Sequence, residues 1–427
     1  METKAIASIT RLLAWRPGGL ARDSTELLVW LVLRALLQAF GILLLARSLG
    51  PESYGKLVAL LAIAGIFASV SGLGLSGVLL RDGSRTPGEL PRLLGMALRT
   101  SARATFGFTF LAMLAVALAL PDIGAPITLV AFVVFAEIAS TTIVELVGRA
   151  FQAKHRIRAF GALQAGLPCV RLIAICLFLA TSEYALETWL WTYAGVNAAY
   201  VLATFVLARA RIGWEFGTEK LWPFVRQGIP FTVGAASARV QGEYNKPLLA
   251  QAAFSQAAQF NVAQRVIDLV NLPILAVQEA LWPRLYAAPD HVRRLLFAGA
   301  ALTLMSLAGI GLVTVASFAT TRVLGDEYAS AAELMLWLAG LPLLSVLRNL
   351  GGFHLIATGR THLLTWVYVA GAIASIGFAT YWIPEHGMQG AVWSSYATEA
   401  VALILLTGFA FRPNRPMSLP KFVRKSR

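Results

Sequence analysis

The sequence predicts an all-α membrane protein that crosses the bilayer about twelve times, and three observations support this fold class. Of the 427 residues, 57% are hydrophobic and only 14% are charged, with a mean hydropathy of +0.68. Apolar runs of about 20 residues, enough to cross a hydrocarbon layer of about 30 Å, recur along the whole chain. These runs are continuous rather than alternating, which favours helices over barrel strands.

The twelve candidate spans fall into two sets of six. The first set lies at about residues 26–46, 57–80, 93–120, 127–147, 161–181 and 188–209. The second set lies at about residues 229–251, 257–283, 294–320, 331–357, 361–383 and 388–411. The two sets are offset by close to 204 residues, and LLLARSLGPESYG (43–55) aligns weakly with PLLAQAAFSQAAQ (247–259) at that offset. We therefore predict an internal duplication that gives two six-helix lobes.

This organisation divides the chain into five parts. They are a basic cytoplasmic segment (1–25), an N-lobe with spans 1–6 (26–209), a cytoplasmic linker (210–228), a C-lobe with spans 7–12 (229–411) and a basic cytoplasmic tail (412–427). The linker is chosen as the boundary because it is the most polar internal stretch of the sequence.

The net charge of +14 is explained by topology. The tails and the even-numbered connections hold 25 of the Lys and Arg residues, whereas the odd-numbered connections hold only Arg47, Lys56 and Arg322. Positive charge concentrates on the cytoplasmic side of inner-membrane proteins. We therefore predict both termini in the cytoplasm, contact with anionic membrane lipids, and no nucleic-acid partner.

The sequence lacks the motifs of the common catalytic and metal sites. It contains no GxxxxGK[ST] phosphate-binding loop, no HExxH and no GxSxG. GLGLSG (72–77) lies inside an apolar span, where close helix packing is the better interpretation. Cys169 and Cys176 lie in one apolar run and favour neither a disulfide nor a metal role. We expect no catalytic residue, no metal and no cofactor, so transport would use an ion gradient, with H⁺ or Na⁺ as the coupling ion, or the free energy of the substrate.

Charged residues inside the spans are the candidate functional residues, because a charge at bilayer depth costs about 3 kcal/mol. In span 7, Arg239, Glu243 and Lys246 follow one helical stripe, and Arg265 and Asp268 do so in span 8. Such stripes indicate either a hydrated cavity or mutually neutralising ion pairs. The basic residues inside spans are Arg34, Arg99, Arg103, Arg171, Arg239, Lys246, Arg265 and Arg348.

We assign two sets of roles to these residues. Cations outnumber carboxylates in the stripes, which indicates an anionic ligand. The predicted substrate-binding residues are Arg34, Gln38, Arg239, Lys246 and Arg265. The predicted ion-coupling residue is Glu243 or Asp268, each within one helical turn of a cation, with Glu137 and Glu145 of span 4 as the next candidates.

Four segments resemble Wzx-type polysaccharide flippases of the multidrug/oligosaccharidyl-lipid/polysaccharide (MOP) exporter superfamily. LLLARSLGPESYGKLVALLAIAGIFASVSGLGLSGVLLRD (43–82) is similar to their first two spans. YNKPLLAQAAFSQAAQFNVAQRVIDLVNLPILAVQEALWPRL (244–285) is similar to spans 7 and 8, and HLIATGR (354–360) and IPEHGMQGAVWSS (383–395) are similar to the last three spans. The four segments occur in the family's order over nearly the whole chain.

The resemblance implies a specific fold and function. It implies a fold of six plus six helices that moves an undecaprenyl-diphosphate-linked oligosaccharide across the bacterial inner membrane by alternating access. The cavity of such proteins is lined largely by spans 1, 2, 7 and 8. The resemblance also implies a place in lipopolysaccharide or exopolysaccharide synthesis, beside a polysaccharide polymerase and glycosyltransferases.

Other functions stay open at this point. A drug antiporter of the same superfamily would favour an acidic cavity for cationic drugs, which the excess of cations opposes. An integral-membrane polysaccharide polymerase or glycosyltransferase would be expected to have a sizeable external loop or an acidic catalytic motif. A membrane scaffold without transport activity would give no reason to retain charges at bilayer depth.

Overall fold

The computed structural model describes residues 19–120, 123–181, 185–216, 221–286 and 291–410. Within these ranges the chain is helical and contains no β-strand, so the predicted all-α class is confirmed. The first half contains α1 (Gly19–Ser71), α2 (Leu75–Arg85), α3 (Leu90–Ala119), α4 (Ile127–Ala153), α5 (Ile157–Ala180) and α6 (Leu186–Arg211). A single 3₁₀ turn, Pro87–Glu89, precedes α3.

The second half is divided into more pieces. Its helices are α7 (Trp222–Glu243), α8 (Asn245–Ala252), α9 (Phe254–Tyr286), α10 (His291–Leu324), α11 (Ala329–Leu338), α12 (Leu341–Ala357) and α13 (Thr361–Ala410). A second 3₁₀ turn, Asp326–Tyr328, leads into α11. Only Tyr244 separates α7 from α8, and Ala253, in an extended conformation, separates α8 from α9.

Two long helices are each interrupted at one glycine. Gly50 in α1 has φ 69° and ψ 168°, and Gly387 in α13 has φ 54° and ψ −127°. Both glycines have positive φ, which side chains disfavour. We predicted several residues between spans 1 and 2, between spans 7 and 8 and between spans 11 and 12. The structure instead makes each of these connections at a single residue.

The lengths of these helices bear on the number of spans. Seven helices in the described ranges are long and apolar enough to cross a membrane, or eight if α11 and α12, bent by 41°, form one span. The 53 residues of α1 and the 50 of α13 each exceed the roughly 20 residues that one span requires. The polar-striped helices α7 and α9 are not among the seven. The chain is therefore a multi-pass membrane protein, and the number twelve stays a prediction.

Helix positions repeat at the offset seen in the sequence. Helix α5 begins at Ile157 and α13 begins at Thr361, 204 residues later. The interruption at Gly50 has its counterpart at the same offset, where α9 begins at Phe254. These positions agree with the expected duplication, whereas the boundaries assigned to the two lobes stay predictions.

The core and the outer surface are both apolar. The largest buried cluster joins residues of α1, α4, α6, α9 and α11, among them Leu60, Val133, Trp189, Val262 and Met335. Large apolar side chains are also exposed along the outer helices α3 and α10, including Phe106, Phe110, Leu118, Phe297, Leu304 and Phe318. An exposed apolar surface of this extent is expected where lipid tails surround the protein.

Candidate functional site

The first cavity has a volume of about 540 Å³ and lies between α1, α2, α4, α5 and α6 on one side and α7, α8 and α9 on the other. The family resemblance implied a cavity lined by spans 1, 2, 7 and 8. Helices from this part of the chain line the cavity, and α4, α5 and α6 line it as well. The sequence analysis assigned a substrate-binding or coupling role to nine residues. Eight of the nine line this cavity: Arg34, Gln38, Glu137, Glu145, Arg239, Glu243, Lys246 and Arg265. Asp268 lines an adjoining cavity instead.

Glu243, the last residue of α7, lies at the centre of a cluster of cations. Its Oε2 is 2.5 Å from Lys246 Nζ, and its Oε1 is 3.5 Å from Arg239 Nη1 and 3.6 Å from Arg265 Nη2. Pro247 has no N–H to donate to the Glu243 carbonyl, and the helix is interrupted here between α7 and α8. One carboxylate thus faces three cations from three helices.

The three cations differ in their accessibility. The Lys246 side chain is only 1% exposed and its ammonium is held by Glu243, so it contributes charge to the cluster but offers no exposed donor to the cavity. The Arg239 side chain is 42% exposed and that of Arg265 is 34% exposed, so both guanidinium groups can contact a molecule in the cavity. The sequence pattern had given Lys246 the same contact role as the two arginines.

Gly65 of α1 leaves the space that Arg239 occupies. A Cβ atom at residue 65 would lie 2.6 Å from Arg239 Nη2 and 3.0 Å from its Nε. Any side chain at residue 65 would therefore force the guanidinium to move. The position of Arg239 depends on this glycine as well as on Glu243.

Arg265 connects the cluster to a second carboxylate. Its Nη1 is 3.2 Å from Asp268 Oδ2, and the Asp268 side chain is 50% exposed. One guanidinium therefore contacts a carboxylate of α7 and a carboxylate of α9 at once. Because Arg265 has several donors in a fixed plane, it can exchange one of these carboxylates for another anion.

On the opposite wall, Arg34 is held by a chain of hydrogen bonds. Arg34 Nη1 donates to Gln164 Oε1 at 2.9 Å, and Gln164 Nε2 donates to Glu145 Oε2 at 3.0 Å. Glu145 in turn pairs with Arg149 at 2.7 Å. Among the described residues Arg34 forms no ion pair of its own. Glu145 therefore balances the Arg34 charge only in part, because it lies beyond Gln164 and is itself paired with Arg149.

A second buried network on this wall includes Arg171, to which the sequence analysis assigned no role. Arg171 Nη2 is 2.6 Å from Glu137 Oε2, which also accepts a hydrogen bond from Tyr193 Oη at 2.6 Å. Arg171 also donates to Asn197 Oδ1, and its guanidinium lies 4.8 Å from the centre of the Tyr193 ring. Glu137, a coupling candidate, is thus the acceptor in a network spread over α4, α5 and α6.

The cavity carries more positive than negative charge. Five cations line it, namely Arg34, Arg171, Arg239, Lys246 and Arg265, against the carboxylates of Glu137, Glu145 and Glu243. The balance favours an anion over a cation as the bound molecule. Within the described ranges no group of three His, Cys, Asp or Glu side chains could hold a metal ion.

Contacts between the two halves of the chain surround the cavity at both ends. At one end, Leu73 and Gly74 have positive φ and separate α1 from α2. A Cβ on Gly74 would lie 2.8 Å from Thr232 N of α7 and closer still to the Gly228 carbonyl oxygen, and one on Gly228 would overlap the Leu73 carbonyl oxygen. The glycines of GLGLSG thus permit close packing of helices.

The other end is formed by the interruptions in α1 and between α8 and α9. A Cβ on Gly55 would overlap the Phe254 carbonyl oxygen. Asn261 Nδ2 donates to Tyr54 Oη at 2.8 Å, and Tyr328 Oη donates to the Ala46 carbonyl oxygen at 2.9 Å. Backbone and side-chain contacts therefore join the two halves on both sides of the charged cluster.

These features define a class of protein: a multi-pass helical membrane protein with a charged cavity between its two halves. The chain belongs to the polysaccharide biosynthesis protein family, whose profile matches residues 44–333. A protein of Shigella dysenteriae named "Putative O-antigen transporter" is 25% identical over 191 residues, which cover 43% of this chain and 47% of that protein. The match thus spans about half the length of that relative.

Solved structures show the same fold at low identity. An inward-facing multidrug resistance MATE family transporter of the MOP superfamily has a TM-score of 0.71 at 14% identity, over 88% of this chain and 93% of that one. The lipid II flippase MurJ, in an inward closed conformation, has a TM-score of 0.70 at 10% identity, over 90% and 87%. The MOP-type fold expected from the sequence is therefore confirmed.

Proposed function

We propose that this protein is a flippase that moves a polyprenyl-diphosphate-linked oligosaccharide, with undecaprenyl as the lipid, across the bacterial inner membrane. The observation that carries the proposal is the cluster in which Glu243 faces Arg239, Lys246 and Arg265 inside a membrane protein of the polysaccharide biosynthesis family. Two phosphates that leave water need compensating donors in a site of low dielectric. Exposed guanidinium groups supply such donors.

The diphosphate would bind between the two walls of the cavity. Arg239 and Arg265 contact it from the second half of the chain and Arg34 from the first, with Gln38 beside them. The lipid tail stays in the bilayer, where the outer surface of the protein is apolar as well. Alternate opening of the two ends, near Gly74 and near Gly55, would expose the head group first to the cytoplasm and then to the outside.

Coupling to an ion gradient would use the carboxylates of the cavity. A diphosphate that binds Arg239 and Arg265 competes with Glu243 and Asp268 for the same guanidinium groups. A carboxylate that loses its cation gains affinity for H⁺ or Na⁺, which links cargo to ion without a cofactor. Transport by Glu243→Gln and Asp268→Asn in vesicles with an imposed gradient tests this step. A parental response by both variants would transfer the role to Glu137 or Glu145.

The alternatives are less well supported by the cavity. A MOP-type drug antiporter that takes cationic drugs would be opposed by the positive charge balance. A polysaccharide polymerase or glycosyltransferase would need an acid or base free to act on a sugar, whereas the carboxylates of both cavities are each paired with an arginine or lysine: Glu137, Glu145, Glu243 and Asp268. Enzymes of these two kinds would instead be partners that supply and consume the flipped lipid.

Deletion of the protein from its source cells tests the proposal. Lipid-linked repeat units should continue to be made and should accumulate on the cytoplasmic leaflet, where an external periodate or lectin probe cannot reach them. Re-expression of the parent chain should restore exposure. If synthesis of the repeat units stops instead, the protein is an enzyme of their assembly and the proposal fails.

A further inference from the structure

A second cavity of about 390 Å³ lies beside the first, between α1, α9 and α12. Gln38, Ile42 and Arg265 line both cavities, so a molecule bound in one can extend into the other. The volume is within the range of about 300–1,000 Å³ that is typical of small-molecule sites. Of the residues that line only this second cavity, the function proposed above uses Asp268 alone, as a coupling carboxylate.

The polar groups of the second cavity are mostly neutral amides. Gln38, Asn271, Gln278 and Asn349 line it together with the hydroxyl of Ser345. An amide side chain both donates and accepts hydrogen bonds, as does a sugar hydroxyl or acetamido group. The apolar side chains of Leu269, Leu272 and Leu275 line the same cavity and can pack against the C–H faces of a sugar ring.

One of these amides has hydrogen-bonding capacity to spare. Asn349 Nδ2 donates to Gln278 Oε1 at 3.0 Å, which fixes the orientation of the Gln278 amide. Gln278 is only 3% exposed, and among the described residues no group accepts a hydrogen bond from its Nε2. A buried donor without an acceptor costs about 1–3 kcal/mol, so a small movement of this amide that brings Nε2 to a ligand oxygen would be stabilising.

The charges of the two cavities differ. In the second cavity Arg348 is paired with Glu399 at 3.1 Å, and Arg265 is paired with Asp268 at 3.2 Å. Each cation that lines the second cavity thus has a carboxylate partner, whereas in the first cavity Arg34 forms no ion pair among the described residues. An uncharged polar molecule suits the second cavity, as an anion suits the first.

We propose that the second cavity binds the sugar residues next to the diphosphate, while the first cavity binds the diphosphate itself. Gln38 and Arg265 lie where the two parts of the head group would join. This inference rests on the proposed flippase function and adds to it a separate site for the saccharide. Recognition would then be divided between a charged site for the constant lipid diphosphate and an amide-lined site for the sugars.

Two probes separate the sites. The first is the lipid-linked oligosaccharide extracted from source cells that lack the protein, and the second is undecaprenyl diphosphate, the same lipid without its sugars. Both should bind the parent protein in nanodiscs, the first about tenfold more tightly, as one or two added hydrogen bonds would give. The Gln278→Met, Asn349→Leu double variant should lose this tenfold advantage and keep its affinity for the sugar-free lipid.

The matched control is Gln259→Met, the same substitution on the same helix at a residue that lines neither cavity. It should leave both affinities unchanged. A second readout avoids dependence on the double variant. With Cys169 and Cys176 replaced by alanine, Ser345→Cys should be protected from alkylation by the lipid-linked oligosaccharide but not by the sugar-free lipid.

Each result has a definite meaning. If the double variant weakens both probes equally, or if both probes protect Ser345→Cys equally, the second cavity does not bind sugars and the inference is overturned while the flippase function stands. If neither probe binds the parent protein, the proposed flippase function fails.

Discussion

At the scale of single residues, the cavity depends on the donors of its arginines. Arg239→Lys or Arg265→Lys should lower transport about tenfold, because lysine lacks the planar fork that can hold two phosphate oxygens at once. Arg239→Glu combined with Arg265→Glu should abolish transport, because it places two anions where the diphosphate binds. Both effects are measured in cells that express each variant in place of the parent protein. The readout is the amount of lipid-linked repeat units that an external probe can reach.

Gly65 offers a control that changes no charge. Gly65→Val should displace the Arg239 guanidinium and lower transport in the same direction as Arg239→Lys. Gly242→Val is the matched variant, since no neighbouring atom lies within 4 Å of a Cβ built there.

The outcome that contradicts the arginine prediction is normal transport by the Arg239→Glu, Arg265→Glu double variant, once it is shown to insert and fold. It would remove the cavity from the mechanism.

Burial of Lys246 predicts a stability effect at the same cluster. Glu243→Gln removes the partner of a lysine that is 1% exposed, and breaking a buried ion pair costs about 3–5 kcal/mol. The variant should unfold at a lower temperature in a tryptophan-fluorescence melt. Adding Lys246→Met should restore most of the loss, because no unpaired buried charge then remains.

Asp268→Asn is the comparison for this experiment. Its carboxylate pairs with Arg265, but the side chain is half exposed, so its removal should change the melting temperature little. If Glu243→Gln melts at the parental temperature, Lys246 does not depend on Glu243 for its stability and the arrangement of the cluster must be revised.

At the scale of helices, the sequence located most of the cavity because residues three or four apart share one face of a helix. Arg239 and Glu243 lie on one face of α7 for this reason, and Lys246, on the short α8 that follows, still reaches Glu243. The network of Glu137, Arg171 and Tyr193 could not be found in this way. It joins three helices, and their relative rotation is set by packing that no spacing rule contains.

Helix ends were predicted less well, for a physical reason. We expected connections of several residues, polar or marked by Gly or Pro, but the helix is interrupted at the single residue Gly50, which has positive φ, and at the single residue Ala253, which is extended. The sequence also could not decide whether Lys246 faces a ligand or a carboxylate. That choice depends on α7 ending at Glu243, beside the interruption near Pro247.

The contact between α7 and the break after α1 predicts how one end of the cavity opens. Gly228→Ala would place a Cβ against the Leu73 carbonyl oxygen and should push the two elements apart. A cysteine at Ser69, which lines the first cavity, should then be alkylated several-fold faster by a reagent that cannot cross the membrane, applied to inside-out vesicles.

Gly234→Ala is the matched control on the same helix, because a Cβ there meets no atom within 4 Å. It carries the same gain in helix propensity without the clash. Equal alkylation rates in both variants would mean that this contact does not close the cavity.

At the scale of the whole molecule, the number of spans can be tested at three exposed positions. Ala252→Cys and Glu327→Cys should react with an impermeant maleimide added to intact spheroplasts, and Arg156→Cys should react only after permeabilisation. Ala252 is the informative position, because α7 and α9 are not among the helices that meet the length and hydropathy requirement for a span.

The labelling requires a background without Cys169 and Cys176, which are free cysteines. Arg156→Cys labelled from outside would invert the orientation predicted from the basic residues. Ala252→Cys protected from outside, with Glu327→Cys still reactive, would mean that α7 to α9 do not cross the membrane as a pair of spans.

The single-residue turns have a consequence for reagents that act on the cell surface. Connections at Gly50, Ala253, Gly325 and Gly387 each consist of one residue between helical segments. In the twelve-span arrangement all four face the periplasm. Proteases need several residues of accessible, deformable backbone. At these four turns a protease added to spheroplasts finds no segment long enough to cleave, so the folded protein should resist digestion there.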